Sequence, residues 1–485
     1  MTFAAIGDIS DETLNGFFID GRFVQARGLK HTILIDPASQ MPLVTMPMAT
    51  ADEVRTAINA ARSAFDWGPW PQFSGTERAE FMHRLADRLT ARLPLLAQLW
   101  TAQVAMPMTP AAAIVKAGVA RLRYYADLAA GYDFDTQRDT ASGTIRVRRE
   151  PIGVAALVVP WNAAFPIMMQ KLGAALASGS CVVIKPAIES PLEASVLASC
   201  VKEVDFPAGV VNVVTADREE SALLVGSDQI DKVSFTGSVA TGRSVATAAA
   251  GNLNRMTLEL GGKSAAILLD DVDLDLAVPA LAPFLMPFSG QFCFSQSRIL
   301  APKSRLEEVV SRVAAFVKAF RLGQPSDPST THGPLLNERQ GKKVMAYIEG
   351  ACREGARVVT GGVQSSDFDR GFYVEPTVFD RVTPEMTIAR EEVFGPVVTI
   401  QSYGNDADAI ELSNSVSFGL SGSVFGRDVE RAYRIASRLR TGQVGINRIA
   451  LEPAAPFGGF KKSGFGREGG IEGLESFTEI KAIFQ

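Results

Sequence analysis

From about residue 152 onward, short apolar runs alternate with segments of helical period, and this alternation constrains the fold more than any other feature. Strands are expected at 153–159, 181–185, 210–215, 231–236 and 256–260, with helices at 167–178, 190–203, 218–226 and 240–250 between them. Parallel neighbours cannot be joined by a tight turn, so such a series implies parallel pairing through crossover helices. A second series follows, with strands near 265–269, 357–360, 397–401, 421–425 and 443–446. Helices near 304–321, 338–351, 406–415 and 428–439 separate these strands. At 485 residues the chain is too long for a single core. The expected fold class is therefore α/β, with two successive parallel-sheet α/β domains.

Ahead of the alternation, two amphipathic helices are expected to open the chain. Thr50 with Glu53, and Ser74 with Glu77, have the spacing of capping boxes. Apolar rows follow them at Val54, Ile58, Ala61 and Phe65, and at Phe81, Leu85, Leu89 and Leu93. His83 lies off its row and reads as a solvated side chain. The segment 144–149 alternates as a two-faced strand, its arginine face turned to solvent or to another subunit. The glycine- and aromatic-rich stretch from Pro456 onward reads as an ordered loop and a short strand. Residues 153–170 are nearly uncharged and close to membrane-spanning length, but Pro160, Asn162 and Pro166 would break a lipid-buried helix. A buried strand, a turn and a helix start fit better.

Composition excludes several functions. The net charge of −5, with no basic block, argues against nucleic acid as a partner. Four cysteines, at 181, 200, 293 and 352, show no CxxC spacing, which suggests a reducing, cytoplasmic setting without disulfides or zinc. Three histidines, His31, His83 and His332, supply neither a histidine triad nor a multi-histidine metal site, so no metal is expected. The stretch Met1–Ser10 lacks both a basic start and an apolar run, so it does not read as a signal peptide, and no membrane partner is expected.

Chemistry-bearing residues stand out against this background. Cys181, Cys200 and Cys352 read as buried structural cysteines. Cys293 differs, because Gly290 and polar neighbours suggest an accessible loop, where a thiol activated by its surroundings attacks carbonyl carbon. Glu259 lies between Leu258 and Leu260 at a strand end. Either it points to solvent from an edge strand, or burial raises its pKa and suits it to take a proton from water. Asn162, after Trp161, is either a helix N-cap or an amide donor to an oxyanion. The segment Phe235-Thr236-Gly237-Ser238-Val239-Ala240-Thr241-Gly242 joins a strand to a helix, and its small residues would let backbone N–H groups approach a phosphate. Lys185 closes another strand at the same sheet edge, where open α/β sheets bind ligands. The formal GxGxxG at 464–469 has no preceding strand and too little chain after it for a βαβ unit, so it carries no dinucleotide role.

In this order the motifs resemble those of the NAD(P)-dependent aldehyde dehydrogenase superfamily. They are Pro160-Trp161-Asn162, Lys185-Pro186, Phe235-Thr236-Gly237-Ser238, Glu259-Leu260-Gly261-Gly262-Lys263, Gly290-Gln291-Phe292-Cys293, Glu391-Glu392-Val393-Phe394-Gly395-Pro396 and Pro456-Phe457-Gly458-Gly459. The resemblance implies Cys293 as nucleophile, Glu259 as general base, and Asn162 with the Cys293 N–H as oxyanion hole. It implies proton exit through Lys171 and Glu468. Trp161, Lys185, Gly237, Ser238, Gly242, Glu392 and Phe394 would bind the cofactor. Thiolate attack on an aldehyde would give a hemithioacetal, hydride transfer a thioester, and water activated by Glu259 the acid. The resemblance further implies a Rossmann-like cofactor domain (1–128 and 150–258), a catalytic domain (259–455), and a small β oligomerisation arm with the C-terminal segment (129–149 and 456–485). A homodimer or homotetramer follows.

The chain also departs from the family pattern. Members that prefer NAD often carry a glutamate three residues after the lysine, where this chain has Ile188 followed by Glu189. NAD is favoured and NADP stays open. Ala163, Phe292, Phe294, Leu451 and Phe457 fall where the substrate would pass, which suggests an apolar aldehyde. Arg448 is the nearby cation that could instead anchor an acidic semialdehyde. Glu259 argues against CoA-acylating relatives. The complete set of reacting groups argues against an inactive homologue, and a thiol hydrolase would need no nicotinamide.

Overall fold

The computed structural model describes residues 6–141 and 143–484. Part of the N-terminal stretch Met1–Ser10, and residues 142 and 485 of the expected arm, lie outside the described residues.

The first sheet has eight strands, in the order Gly464–Phe465, Arg255–Glu259, Lys232–Thr236, Val154–Val158, Cys181–Lys185, Val211–Val213, Gly16–Ile19 and Arg22–Gln25. The five strands from Arg255–Glu259 to Val211–Val213 pair in parallel. Val154–Val158 is buried along its whole length, as expected of a strand covered by helices on both faces. The chain steps from this strand to Cys181–Lys185 and then Val211–Val213, and next crosses back to set Lys232–Thr236 on the other side. That reversal opens a crevice at the carboxyl ends of Val154–Val158 and Lys232–Thr236, the place where open α/β sheets bind ligands. Trp161-Asn162 and Gly237-Ser238 leave from those two ends.

The second sheet runs Arg357–Thr360, Thr377–Asp380, Val397–Tyr403, Arg298–Pro302, Ala265–Leu268, Ser421–Phe425 and Gln443–Ile446. All its pairs are parallel except the first. A three-stranded antiparallel sheet joins Thr478–Phe484, Gly143–Pro151 and Asp135–Thr140. A fourth pairs His31–Ile35 with Pro42–Pro47.

Every strand and helix of the two expected series is present, with boundaries shifted by a few residues, and the structure adds and corrects elements. Two sheets expected to be parallel carry antiparallel edges. Among the described residues, the short helix Asp11–Leu14 and four short strands precede the helix Ala51–Trp67. Those strands have irregular burial, as in Arg22–Gln25, so no clean period marks them. Leu93 does not extend the second helix: Gly75–Ala91 ends first, and Leu93–Val104 starts anew with Pro94 in its first turn. The helix Leu274–Leu285 contains Pro279 and Pro283, which hid it. The strand Arg298–Pro302 was masked by its own arginine, which is buried and donates to the carbonyls of Lys263, Leu412 and Ser413. Cys352 is exposed, contrary to expectation, because it lies off the buried row of its helix, which is Gly341, Val344, Ile348 and Ala351. His83 stays partly exposed, 3.0 Å from Asp127.

The antiparallel edge at Gly464 returns the C-terminal loop to the strand that ends at Glu259. Gly464 has φ +115°, and a methyl group there would lie 1.8 Å from the Leu258 carbonyl oxygen. Gly464→Ala is expected to cost roughly 1–3 kcal/mol of stability and to lower the midpoint of thermal unfolding. An unchanged midpoint would count against this account of the edge.

Candidate active site

Cys293 is positioned by a left-handed turn. Phe288, Ser289 and Gly290 have φ of 51°, 52° and 74°. A methyl group on Gly290 would lie 1.8 Å from the Gly395 carbonyl oxygen. Left-handed backbone costs about 1–2 kcal/mol per non-glycine residue, and surrounding bonds offset it. Ser289 Oγ donates to the Gly333 carbonyl at 2.7 Å, and Leu336 N–H donates to Gln291 Oε1 at 3.1 Å. Asn162 Nδ2 donates to the Gln291 carbonyl at 2.7 Å.

This last bond resolves one of the two readings of Asn162. The helix Ala164–Ser178 is capped at Ala163 without any side-chain bond, so Asn162 is not its N-cap. Its amide is instead buried and anchored two residues before the cysteine, and its own carbonyl accepts from Trp100 Nε1 at 3.2 Å. A carboxamide nitrogen carries two hydrogens, so one N–H of Asn162 remains for another acceptor.

Cys293 is partly exposed, in a cleft it shares with Gly262, Ser297, Glu392 and Phe394. Protein nevertheless packs densely around the thiol. Burial pushes it up to about 12, and the Glu392 and Glu259 carboxylates add to the rise, while the backbone N–H groups of Cys293 and Phe294 oppose it. The resting sulfur is therefore a neutral thiol.

Glu259 does not point to solvent. Its residue is 2 % exposed, and both carboxyl oxygens are buried without a hydrogen-bond partner. Burial holds its pKa well above the usual carboxylate range; Glu468 adds to this, and Lys171 and Arg467 oppose it. Beneath it lies a compact network. Lys171 Nζ, wholly buried, donates to Ser234 Oγ at 2.9 Å and pairs with Glu468 Oε1 at 2.5 Å. Ser234 Oγ donates to the same oxygen at 3.0 Å. Ser234, which sequence reasoning missed, faces this network because it sits on the strand beside Glu259's strand, paired with Thr257.

The cofactor candidates lie along the crevice. Lys185 is half-buried at its strand end, its amine unbonded, and burial lowers its pKa. Ser238 caps the helix Val239–Ala250 by accepting from Thr241 N–H, and is itself exposed. The first-turn N–H groups beside it have no helical acceptor. Gly237 and Gly242 differ, since the Gly237 N–H donates to the Glu259 carbonyl and that of Gly242 to Ser238. A methyl on Gly242 would lie 2.6 Å from Leu260 Cδ2, so that glycine serves close packing. Glu392 accepts from Gly262 N–H at 3.0 Å, and the Phe394 ring stands edge-on to Trp161 at 5.8 Å. A free amine, open helix N–H groups and a carboxylate along one crevice suit a nucleotide with two riboses and a pyrophosphate.

Aromatic rings gather around the cysteine loop. Phe292 and Phe294 stack at 5.2 Å, and Phe288, not foreseen from sequence, contacts Phe292 at 5.9 Å and Trp161 at 6.1 Å. Ala163 is buried, and Leu451 and Phe457 are half-buried. Phe457 exchanges backbone bonds with Glu468, tying the substrate side to the Lys171 network. Arg448 is 70 % exposed and lies 3.9 Å from Glu452. Among the described residues, no group of three or more His, Cys, Asp or Glu side chains could hold a metal ion.

Comparison with known proteins agrees with this arrangement. The model of the aldehyde dehydrogenase family matches residues 23–483. Geranial dehydrogenase of Castellaniella defragrans is 39% identical over 469 residues, covering 96% of this chain and 98% of that protein. 3-Succinoylsemialdehyde-pyridine dehydrogenase of Pseudomonas sp is 39% identical over 471 residues, covering 96% and 98%. The crystal structure of a Mycobacterium tuberculosis aldehyde dehydrogenase complexed with NAD+ superposes with a TM-score of 0.94 at 41% identity, covering 97% of this chain and 98% of that one. Aldehyde dehydrogenase C of Pseudomonas syringae, a mutant holding NAD+ and octanal, gives 0.94 at 36% identity over 98% of each chain.

A thiol raised to about 12 fixes how the free protein reacts. Alkylation of Cys293 by iodoacetamide, without nucleotide, should speed up about tenfold per pH unit between roughly pH 7 and 9, because only the thiolate reacts. A plateau near neutrality would contradict the buried-thiol account.

Proposed function

Since this chain belongs to the aldehyde dehydrogenase family, in which it oxidises an aldehyde with a nicotinamide cofactor, NAD, we propose roles for its residues and a class for its substrate. The carrying observation is that Asn162 is tied to the loop of Cys293 while a buried, unpartnered Glu259 ends the adjoining strand.

The Cys293 sulfur gives its proton to solvent water and bonds to the aldehyde carbon. The carbonyl oxygen takes up the negative charge, and the free Asn162 N–H and the Cys293 N–H receive it. When bound, the nicotinamide supplies the acceptor for the hydride. Lys185, Ser238 with its helix N-terminus, Trp161, Glu392 and Phe394 would hold that cofactor; Gly237 and Gly242 would shape its bed. Glu259 then takes a proton from water attacking the thioester carbon, the sulfur departs, and the acid is released. Lys171 and Glu468 carry the proton onward. Burial suits Glu259 to this work, because a carboxylate held above its usual range is a stronger base toward water.

The substrate is an apolar aldehyde, as geranial and octanal are. Phe292 and Phe294, with Ala163, Leu451 and Phe457, offer it an aromatic and aliphatic lining. The alternative, an acidic semialdehyde, relies on Arg448, which faces Glu452 at the surface. The cofactor domain comprises 1–128 and 150–258, the catalytic domain 259–455, and the arm with the C-terminal segment 129–149 and 456–485. Ile480 and Phe484, 61% and 76% exposed on the arm sheet, support a homodimer or homotetramer. Four free cysteines support a cytoplasmic location, and no described helix is long and apolar enough to cross a membrane.

Two variants test the roles. Cys293→Ala should abolish acid formation from octanal with NAD+, and persistent turnover would refute the assignment. Glu259→Gln should release about one equivalent of reduced cofactor per site in a burst and then stall. Equal loss of burst and turnover would remove Glu259 from the hydrolytic step.

A further inference from the structure

We propose that Asp217, together with Glu189, fixes the cofactor choice of this chain by gripping the adenosine ribose hydroxyls beside Lys185 and rejecting a 2′-phosphate. The inference rests on the cofactor placement proposed above.

Lys185 ends the strand Cys181–Lys185, and the neighbouring parallel strand is Val211–Val213, with Ile184 beside Val213. Both strands therefore leave the sheet at the same edge. Val214 N–H donates to the Ile184 carbonyl at 3.0 Å, and Ala49 N–H to the Thr215 carbonyl at 2.7 Å, which pins the exit that leads to Asp217. Asp217 caps the helix Arg218–Val225. Two carboxylates act on the Lys185 amine, that of Glu189 foremost and that of Asp217 after it. Glu189 is half-buried, and among the described residues it makes neither a side-chain hydrogen bond nor an ion pair and Lys185 Nζ has no acceptor. Glu189 and the Lys185 amine are thus left unpaired where Ile188 withholds the carboxylate that the family pattern would supply, while Asp217 pairs with Lys30.

The charges decide what these groups accept. A ribose with two free hydroxyls donates to carboxylates and accepts from an amine, which is what Asp217, Glu189 and Lys185 offer. A 2′-phosphate brings about two negative charges against two carboxylates. Lys30 Nζ lies 2.6 Å from Asp217 Oδ2, with the two side chains 47% and 36% exposed, and Arg218, Glu219 and Glu220 follow on the first turn of the helix that Asp217 caps. An ion pair so open to water holds weakly, so Asp217 can turn to the ribose. Removing the Asp217 charge both withdraws a repulsion and releases Lys30 toward a phosphate.

The test uses the full-length protein. Dissociation constants for NAD+ and NADP+ are measured by titration calorimetry without aldehyde, and kcat/KM with octanal for each nucleotide. Asp217→Asn keeps an N-capping side chain, and Glu189→Gln lies outside any helix, so both should fold. The wild type should prefer NAD+. Asp217→Asn should narrow that preference roughly tenfold, mainly by tighter NADP+ binding, and Glu189→Gln should narrow it in the same direction. Adding Lys30→Ala to Asp217→Asn should remove most of the NADP+ gain. A preference within about two-fold of wild type in both single variants would overturn the proposal while leaving the cofactor site intact. A wild type that binds neither nucleotide would overturn the cofactor placement itself, and this proposal with it.

Discussion

Two adjacent glycines let three segments of the site come close together, and the other parts lean on them. A methyl group on Gly261 would lie 2.2 Å from Glu392 Oε2, and one on Gly262 would lie 2.4 Å from the Cys293 carbonyl oxygen. No side chain fits either space. This absence of side chains lets the strand end bearing Glu259, the cysteine loop and the Glu392 segment meet at one point. Hydrogen bonds then lock the junction. Gly262 N–H donates to Glu392, Ser463 Oγ donates to the Gly261 carbonyl at 2.7 Å, and Leu260 N–H donates to the Ser463 carbonyl at 3.0 Å. The C-terminal loop is drawn in as well, because Gly458 passes so near Glu259 that a methyl there would sit 2.7 Å from its Oε1.

Within that junction the electrostatics are unequal by construction. Lys171, Ser234 and Glu468 satisfy one another, so the buried lysine pays no penalty for an unpaired charge. Glu259 lies near them with no partner for either oxygen. A buried polar group left unsatisfied costs about 1–3 kcal/mol, and a fold keeps such a group only where the surrounding packing determines its place. The consequence is a carboxyl group whose pKa burial holds above the usual carboxylate range, in the same site as a thiol pushed up to about 12. Burial opposes the ionisation of both reacting groups.

Much of this was legible beforehand, for identifiable reasons. Val154–Val158 and Cys181–Lys185 read as strands because buried parallel strands are continuous apolar runs. Glu53 and Glu77 announced helix starts because their side chains close back on Thr50 and Ser74, as the structure confirms. Elements whose local signal opposed their tertiary role stayed hidden. Arg298 looked unlike a core strand residue, yet three carbonyls from elsewhere in the fold satisfy it. Leu274–Leu285 carries two prolines yet remains helical among buried leucines and valines. Ser234 and Phe288 gave no warning, because nothing in their neighbourhood of sequence names the partners that they meet in space.

Local chemistry in the sequence settled the alternation that builds parallel sheets, the caps that begin helices, and the supply of thiol, carboxyl and amide for one class of reaction. Those features depend on periods of a few residues and on side-chain type, which the order of amino acids states directly. Whether Asn162 caps a helix or turns to the cysteine loop, and whether Glu259 meets water or is entombed, depended on segments 129 residues away in one case and on the returning C-terminal loop in the other. Such choices belong to the tertiary structure, because burial and hydrogen-bond partnership are properties of what surrounds a side chain, and distant segments become neighbours only when the chain has closed upon itself.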